Sequence, residues 1–131
     1  MVGNLVGLVL VSHSRTLAEG VRELVGQIGG GEVFVGIAAG GPDGGLGTSA
    51  DRVAAALREA DGGAGVVVLP DLGSAVLTVR ALLLEEAWPG VRLVDAPFVE
   101  GAVAAAVTAG TGADLEAVVA AAEEARNVRK L

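Results

Sequence analysis

The sequence predicts an α/β fold of three layers, in which a mostly parallel four-stranded sheet carries helices on both faces. Short apolar runs alternate along the chain with segments of helical periodicity, as strands and crossover helices do in parallel sheets. Hydrophobic residues make up 52% of the 131-residue chain and charged residues 19%, which excludes intrinsic disorder. Glycine occupies 21 positions, as expected where turns are tight and backbones approach closely.

The amino-terminal part of the chain contains two strands and one helix. The apolar run 5–11 has the length of a buried strand, and 32–38 is the second. A helix is predicted between these two strands. Thr16 and Glu19 have the spacing of a capping box at its start, and glycines 29–31 end it. An apolar stripe on this helix is expected to face the core and comprises Leu17, Val21, Leu24, Val25 and Ile28.

The middle of the chain supplies the second helix and the third strand. A glycine-rich loop at 39–47 leads to a helix at 50–60, for which Thr48 and Ser49 are the candidate caps. The run 65–69 (GVVVL) is the third strand. Pro and Asp follow it directly and end it.

The carboxyl-terminal part adds three helices and one strand. A helix is predicted at 73–87, a strand at 91–94 and an almost wholly apolar helix at 100–110. Asp114 then caps a last helix. The residues that share its buried face are Leu115, Val118, Val119 and Ala122.

Charge and cysteine content exclude several classes of function. The formal charge is −7, from 9 basic and 16 acidic residues, and aromatics are 2%, so a nucleic-acid or anionic-membrane surface is not expected. Without cysteine there are no disulfides, thiolate metal sites or catalytic thiols. The apolar opening is too short for a membrane span and lacks the basic region of a signal peptide. We expect a single cytoplasmic domain over residues 1–131, with no cofactor and no metal.

Two polar residues at strand ends form the candidate reaction centre. His13, the one histidine, follows the first strand, and Asp71 follows the third. Ligands of open α/β sheets bind at the carboxyl ends of strands where the strand order reverses. If these two strands are neighbours, His13 and Asp71 face each other. The carboxylate would then select which imidazole nitrogen stays free as a nucleophile.

The surroundings of this pair suit a phosphohistidine intermediate. Two helices begin at the same place and offer N–H groups to an anion. The residues expected to contact the phosphoryl group are Ser12, Ser14, Arg15, Thr48, Gly73 and Ser74. For Arg15, a solvated position in the first helical turn is an equally good interpretation.

Other chemistries remain open at this point or are disfavoured. A histidine at a strand end is often only a hydrogen-bonded structural residue. A Ser-His-Asp hydrolase is possible by residue type, although no G-x-S-x-G elbow surrounds any of the serines. No carboxylates are spaced to chelate a metal with one histidine, and the glycine-rich loop lacks the Lys-Ser/Thr of a P-loop.

Four segments together resemble one protein family. They are GLVLVSHSRTLAEGV (7–21), LGTS (46–49), PDLGSA (70–75) and APFVEGAVAAAV (96–107). In combination the chain resembles the mannose-type EIIA family of the phosphoenolpyruvate-dependent phosphotransferase system (PTS), and within it the phosphotransferase subunits of bacterial dihydroxyacetone kinases. The resemblance covers both ends and the middle of the chain.

The resemblance implies a phosphoryl carrier. His13 would take a phosphoryl group from the phosphocarrier HPr and pass it to the ADP-bound kinase subunit DhaL, and the resulting ATP would phosphorylate dihydroxyacetone on DhaK. Asp71 matches the family's aspartate. The family is dimeric, with strand order 2-1-3-4 and in some members an extra antiparallel edge strand, which has no clear counterpart here. Since no HPr-like domain follows, the donor is expected to be a separate protein, and the apolar helix 100–110 is the candidate dimer interface.

Two alternatives accompany this interpretation. One is an EIIA domain serving a mannose-type sugar transporter, although such domains usually carry a double-glycine, proline-containing segment after the aspartate, where this chain has Leu-Gly-Ser-Ala. The other is a non-catalytic regulator or binding module on the same fold, because fold does not determine function.

Overall fold

The computed structural model describes residues 4–29 and 31–131 and contains one sheet of four parallel strands. The strands are β1 (Gly7–Ser12), β2 (Val35–Ala39), β3 (Val66–Pro70) and β4 (Val91–Leu93). Their order is β2-β1-β3-β4, so the predicted fold and strand order are confirmed. In the described part of the chain no fifth strand joins the sheet.

Within the described residues, five α-helices cover the two faces of this sheet. They are α1 (Arg15–Gly29), α2 (Ala50–Ala60), α3 (Gly73–Glu85), α4 (Phe98–Gly110) and α5 (Leu115–Glu124), and a short 3-10 turn (Ala125–Asn127) follows. Helices α1, α4 and α5 pack on one face and α2 and α3 on the other. The layers therefore agree with the prediction, and within the described residues no helix is long and apolar enough to cross a membrane.

The core is divided by the alternation of side chains along the strands. In β1, Leu8 and Leu10 point to the layer of α1, α4 and α5, whereas Val9 and Val11 point to the layer of α2 and α3. Both sets are completely buried. This explains the unbroken apolar run of β1, since a central parallel strand is covered on both faces.

Helix α1 differs from its prediction in two respects. The Ser14 hydroxyl accepts the Leu17 N–H at 3.2 Å, so Ser14 caps the helix and the predicted capping box of Thr16 and Glu19 is wrong. Of the predicted stripe only Val21 and Val25 are buried, together with Ala18. The stripe residues that stay exposed are Leu17 (44%), Leu24 (40%) and Ile28 (54%). Because Ala18, Val21 and Val25 form the buried face of α1, the three exposed residues lie beside that face.

The other boundaries lie near their predictions. Helix α2 has the predicted bounds, with Ser49 as its cap, and the Asp114 carboxylate caps α5 through the Ala117 N–H at 2.9 Å. Strands β1, β2 and β3 begin one to three residues later than predicted, α3 ends earlier at Glu85, and α4 begins earlier at Phe98. Of the glycines expected to end α1, residue 30 lies outside the described residues.

At Gly7 the last residue of α2 lies close against the sheet. A Cβ there would lie 2.5 Å from the carbonyl oxygen of Ala60, a backbone atom that cannot move aside alone. We expect Gly7→Ala to lower the free energy of unfolding by about 1–3 kcal/mol, as overpacking does. Gly20→Ala is the matched control, because nothing lies within 4 Å of its added Cβ, and it should be neutral or stabilising. Urea denaturation of both variants measures this, and equal stabilities would contradict the steric argument.

Candidate active site

The central pair of strands brings His13 and Asp71 together. Strands β1 and β3 are neighbours in parallel register, with Val11 opposite Pro70. The residues that follow the two strands therefore leave the sheet at the same end. The Asp71 N–H donates to the Val11 carbonyl at 3.0 Å and extends the pairing by one residue. His13 and Asp71 thus face each other at the carboxyl end of the sheet, as the sequence predicts.

The Asp71 carboxylate accepts four hydrogen bonds. Oδ1 accepts from the His13 ring at Nδ1 (2.9 Å) and from the Leu72 N–H (2.7 Å). Oδ2 accepts from the His13 backbone N–H (3.0 Å) and from the Ser12 hydroxyl (3.0 Å). Burial alone would raise the pKa of Asp71, but these donors outweigh it and hold the pKa below its ordinary value of 3.8. The group is therefore ionised at neutral pH.

The ionised carboxylate determines the tautomer of His13. A carboxylate can only accept, so Nδ1 must carry the ring proton and Nε2 keeps its lone pair. Nε2 points away from Asp71 and contacts the Ser74 hydroxyl, which donates to it. The His13 side chain is 24% exposed and that of Asp71 is 7% exposed. The arrangement is an oriented, accessible nitrogen nucleophile backed by a buried anion.

Helix α3 begins beside Nε2 without a side-chain cap. Its N-cap residue is Leu72, whose side chain has no hydrogen-bonding group. Helices α1, α2 and α5 are all capped by serine or aspartate. The Gly73 and Ser74 N–H groups therefore have no capping acceptor and can bind the oxygens of an anion held at Nε2.

A second set of contacts, which the sequence analysis missed, fixes the first turn of α3. Thr78 donates to the Ser74 carbonyl at 3.1 Å, and its hydroxyl contacts that of Thr48 at 2.8 Å. The Gly47 N–H also donates to the His13 carbonyl at 3.2 Å. Thr78 follows Ser74 by four residues, and this helical spacing is the only signal that could have found it.

The remaining predicted site residues take different positions. Ser12 is completely buried and its hydroxyl serves the carboxylate, while Ser14 caps α1. The Thr48 hydroxyl contacts Thr78 and not His13. Arg15 lines a cavity along β2 that His13 does not line. Of the six predicted phosphoryl-contacting residues, the structure brings Gly73 and Ser74 to the imidazole.

The site is shallow. A cavity of about 730 Å³ next to the pair is lined by Asp71, Leu72, Gly73 and Arg80 among others, but His13 does not line it. In the part of the chain that the structure describes, no group of three or more His, Cys, Asp or Glu residues is placed to hold a metal ion. The His13 side chain, which is 24% exposed, therefore lies at the surface and outside this cavity.

Comparison with known families gives the same assignment. The model of the EIIA-man family, described as the PTS system fructose IIA component, matches residues 7–119. The chain belongs to the EIIA-man family. A relative in Escherichia coli, named the PEP-dependent dihydroxyacetone kinase phosphoryl donor subunit DhaM, is 42% identical over 88% of this chain. This chain spans only 26% of that relative's length.

Two other proteins similar to this EIIA-man chain match it over nearly their whole length. A Listeria innocua protein, named the phosphoryl donor subunit DhaM of PEP-dependent dihydroxyacetone kinase 2, is 34% identical, and the alignment covers 88% of this chain and 94% of the relative. A crystal structure described as the unknown function protein EF1359 superposes with a TM-score of 0.80 at 34% identity, covering 98% of each chain. That structure has the same fold as this EIIA-man domain.

Proposed function

We propose that this chain is the phosphoryl donor subunit of a PEP-dependent dihydroxyacetone kinase and carries the phosphoryl group on His13. The observation that supports this most directly is the fixed tautomer of His13, which leaves Nε2 free beside the uncapped start of α3. The names of the Escherichia coli and Listeria innocua relatives point to the kinase system.

The proposed reaction has two balanced steps. In the first, the Nε2 lone pair of His13 attacks the phosphorus of phosphorylated HPr, and the bond between phosphorus and HPr breaks with its electron pair returning to HPr. Asp71 stabilises the positive charge that develops on the ring. In the second, a β-phosphate oxygen of the ADP on DhaL attacks the phosphorus, the bond to Nε2 breaks, and ATP forms for use by DhaK.

The residues around Nε2 would stabilise the transferring group. Charge in phosphoryl transfer lies on the three equatorial oxygens, so catalysis depends on positioning and on hydrogen-bond donors. The Gly73 and Ser74 N–H groups and the Ser74 hydroxyl are the donors nearest to Nε2. Ser74 would exchange its bond to the ring for one to a phosphoryl oxygen. The exposure of His13 suits a carrier that meets two proteins in turn in the cytoplasm.

A reconstituted relay tests this function. The chain is incubated with phosphoenolpyruvate, enzyme I and HPr, and the product is examined by ³¹P NMR for an acid-labile adduct on Nε2. The labelled protein is then mixed with ADP-loaded DhaL, and ATP is measured. Absence of the adduct would favour a non-catalytic module. An adduct that passes to the IIB component of a mannose-type transporter but not to DhaL would favour the sugar-transport alternative.

We also propose that the chain is a homodimer joined through an apolar surface on α1 and α4. This α1/α4 surface consists of Leu17, Leu24, Ile28, Val99 and Val107, all of which are exposed. The two helices pack side by side, with the Ala106 Cβ 3.3 Å from a Cβ built on Gly29. Exposed apolar side chains on neighbouring helices are typical of an interface.

Mutation of the α1/α4 surface gives a direct test of the dimer. Val107→Glu places a charge within the proposed interface, and we expect it to shift the protein from dimer to monomer at micromolar concentration in analytical ultracentrifugation. Leu84→Glu is the control, because Leu84 is 87% exposed on α3, in the opposite helical layer. A monomeric wild-type protein, or equal dissociation in both variants, would contradict this interface.

A further inference from the structure

The outer edge of β2 is open. Among the residues that the structure describes, strand β2 pairs only with β1. The Phe34 carbonyl accepts from Leu8 at 2.9 Å and the Gly40 N–H donates to Ser12 at 3.2 Å, so even-numbered residues of β2 bond to β1. Because peptide groups alternate along a strand, those of Val35 and Ile37 point outward. This edge can therefore accept another extended chain.

Three arginines flank this open edge. A cavity of about 330 Å³ along it is lined by Arg15 and Arg22 on α1 and by Arg52 on α2, with Phe34 and Glu59 also contributing. We call this cavity the β2-edge groove. Within residues 4–29 and 31–131, none of the three arginines forms a salt bridge, although the chain carries a net charge of −7. The groove thus gathers basic side chains that acidic residues elsewhere in the chain have not neutralised.

Positive charge in the β2-edge groove is concentrated at the end nearer His13. Arg15 and Arg52 lie in the first turns of α1 and α2, both of which begin at the carboxyl end of the sheet, near His13. Arg52 also donates to the Ala39 carbonyl at 3.4 Å. Glu59 lies near the carboxyl end of α2, at the end of the groove beside the amino ends of the strands. An occupant should place its negative charges toward the His13 end.

We propose that the β2-edge groove binds an extended acidic segment of a partner protein, which adds to the sheet beside β2. The outward peptide groups of Val35 and Ile37 would supply the main-chain hydrogen bonds, and the arginines would pair with carboxylates. A second copy of this chain is disfavoured as the occupant, because it would bring its own three arginines against these. The inference stands independently of phosphoryl transfer.

A peptide probe tests the groove by NMR. A blocked peptide of alternating Glu and Thr is titrated into the ¹⁵N-labelled full chain, and an equivalent Lys-Thr peptide serves as the reference. We expect the acidic peptide to bind and to slow hydrogen exchange of the Val35 and Ile37 amides. Its affinity should fall as salt is added. Equal binding of the two peptides, or unchanged exchange of both amides at saturation, would overturn the proposal.

Two matched variants separate the charge contribution from strand pairing. Arg22→Glu should weaken acidic-peptide binding by about tenfold, since it removes one attraction and adds one repulsion. Arg129→Glu makes the same charge change at an exposed site outside the groove and should have little effect. Ile37→Pro removes an outward N–H that β1 does not use, so it should abolish binding while the folded spectrum persists. The proposal would be contradicted by an equal loss of peptide affinity in both arginine variants or by full peptide binding to Ile37→Pro. Self-association of the wild type that Ile37→Pro removes would also contradict it.

Discussion

Replacement of His13 by alanine is expected to abolish phosphoryl uptake from HPr completely. His13 is the one imidazole in the chain, so no other side chain of this type can accept the group. His13→Gln should be equally inactive, because an amide nitrogen has no available lone pair for attack on phosphorus. The measurement is transfer of ³²P from phosphoenolpyruvate through enzyme I and HPr, and retained labelling in either variant would refute the assignment.

The stability of the His13 variants must be measured alongside their activity. The ring donates one hydrogen bond to Asp71 and is partly exposed, so its removal should cost only about 1–3 kcal/mol. The backbone N–H of residue 13 still donates to the carboxylate in both variants. Circular dichroism and urea denaturation should show a folded protein. Glu32→Gln, which changes an exposed residue before β2 at the amino ends of the strands, is the control for activity and should accept phosphate normally.

Substitution of Asp71 by asparagine is expected to slow phosphoryl transfer by about 10²-fold or more, by analogy with orienting carboxylates in catalytic triads. The carboxylate accepts four hydrogen bonds, two on each oxygen, whereas an amide has only one acceptor oxygen. If the amide nitrogen faces His13 Nδ1, the ring takes the opposite tautomer and Nε2 loses its lone pair. If it faces Ser12 instead, two N–H groups oppose each other at the His13 backbone.

The pH dependence of stability provides an independent test of Asp71. Its pKa in the folded protein is lowered from 3.8, so its contribution is fully present above that value and is lost as the pH falls through the lower folded pKa. Asp71→Asn should therefore be less stable than the wild type at pH 7, and the difference should shrink below about pH 3.8. A wild-type transfer rate in this variant would return Asp71 to a structural role, and a stability difference that ignores pH would contradict the ionised network.

Much of the fold could be predicted because short segments of the sequence determine the type of each element. Apolar runs of strand length between amphipathic helices predict a parallel sheet, and capping residues such as Ser49 and Asp114 lie directly before two of the helices. The errors arise where tertiary packing decides. Ser14 and Thr16 are both capping residues, and which one acts depends on where β1 ends against β3. The apolar periodicity of α1 also could not show that the sheet covers Ala18 in place of Leu17.

The candidate site divides in the same way. The meeting of His13 and Asp71 could be predicted, since it follows from strand order alone. The hydroxyl contacts of Thr48 with Thr78 and the burial of Ser12 could not, because they depend on side-chain directions in the folded protein. The gathering of arginines along β2 was likewise unpredictable, since Arg15, Arg22 and Arg52 belong to two helices that pack on opposite faces of the sheet.

The leucine at the start of α3 places stability and turnover in conflict. A serine at position 72 would cap the helix and stabilise the protein by roughly 0.5–2 kcal/mol. The same hydroxyl would occupy N–H groups that bind the transferring phosphoryl group in the proposed reaction. Selection for heat resistance alone should therefore enrich capping residues at this position, whereas selection for flux through the relay should remove them. Leu72→Ser should melt at a higher temperature and transfer phosphate more slowly. That combination would show that leucine at position 72 is retained for function and lowers the stability of the folded protein.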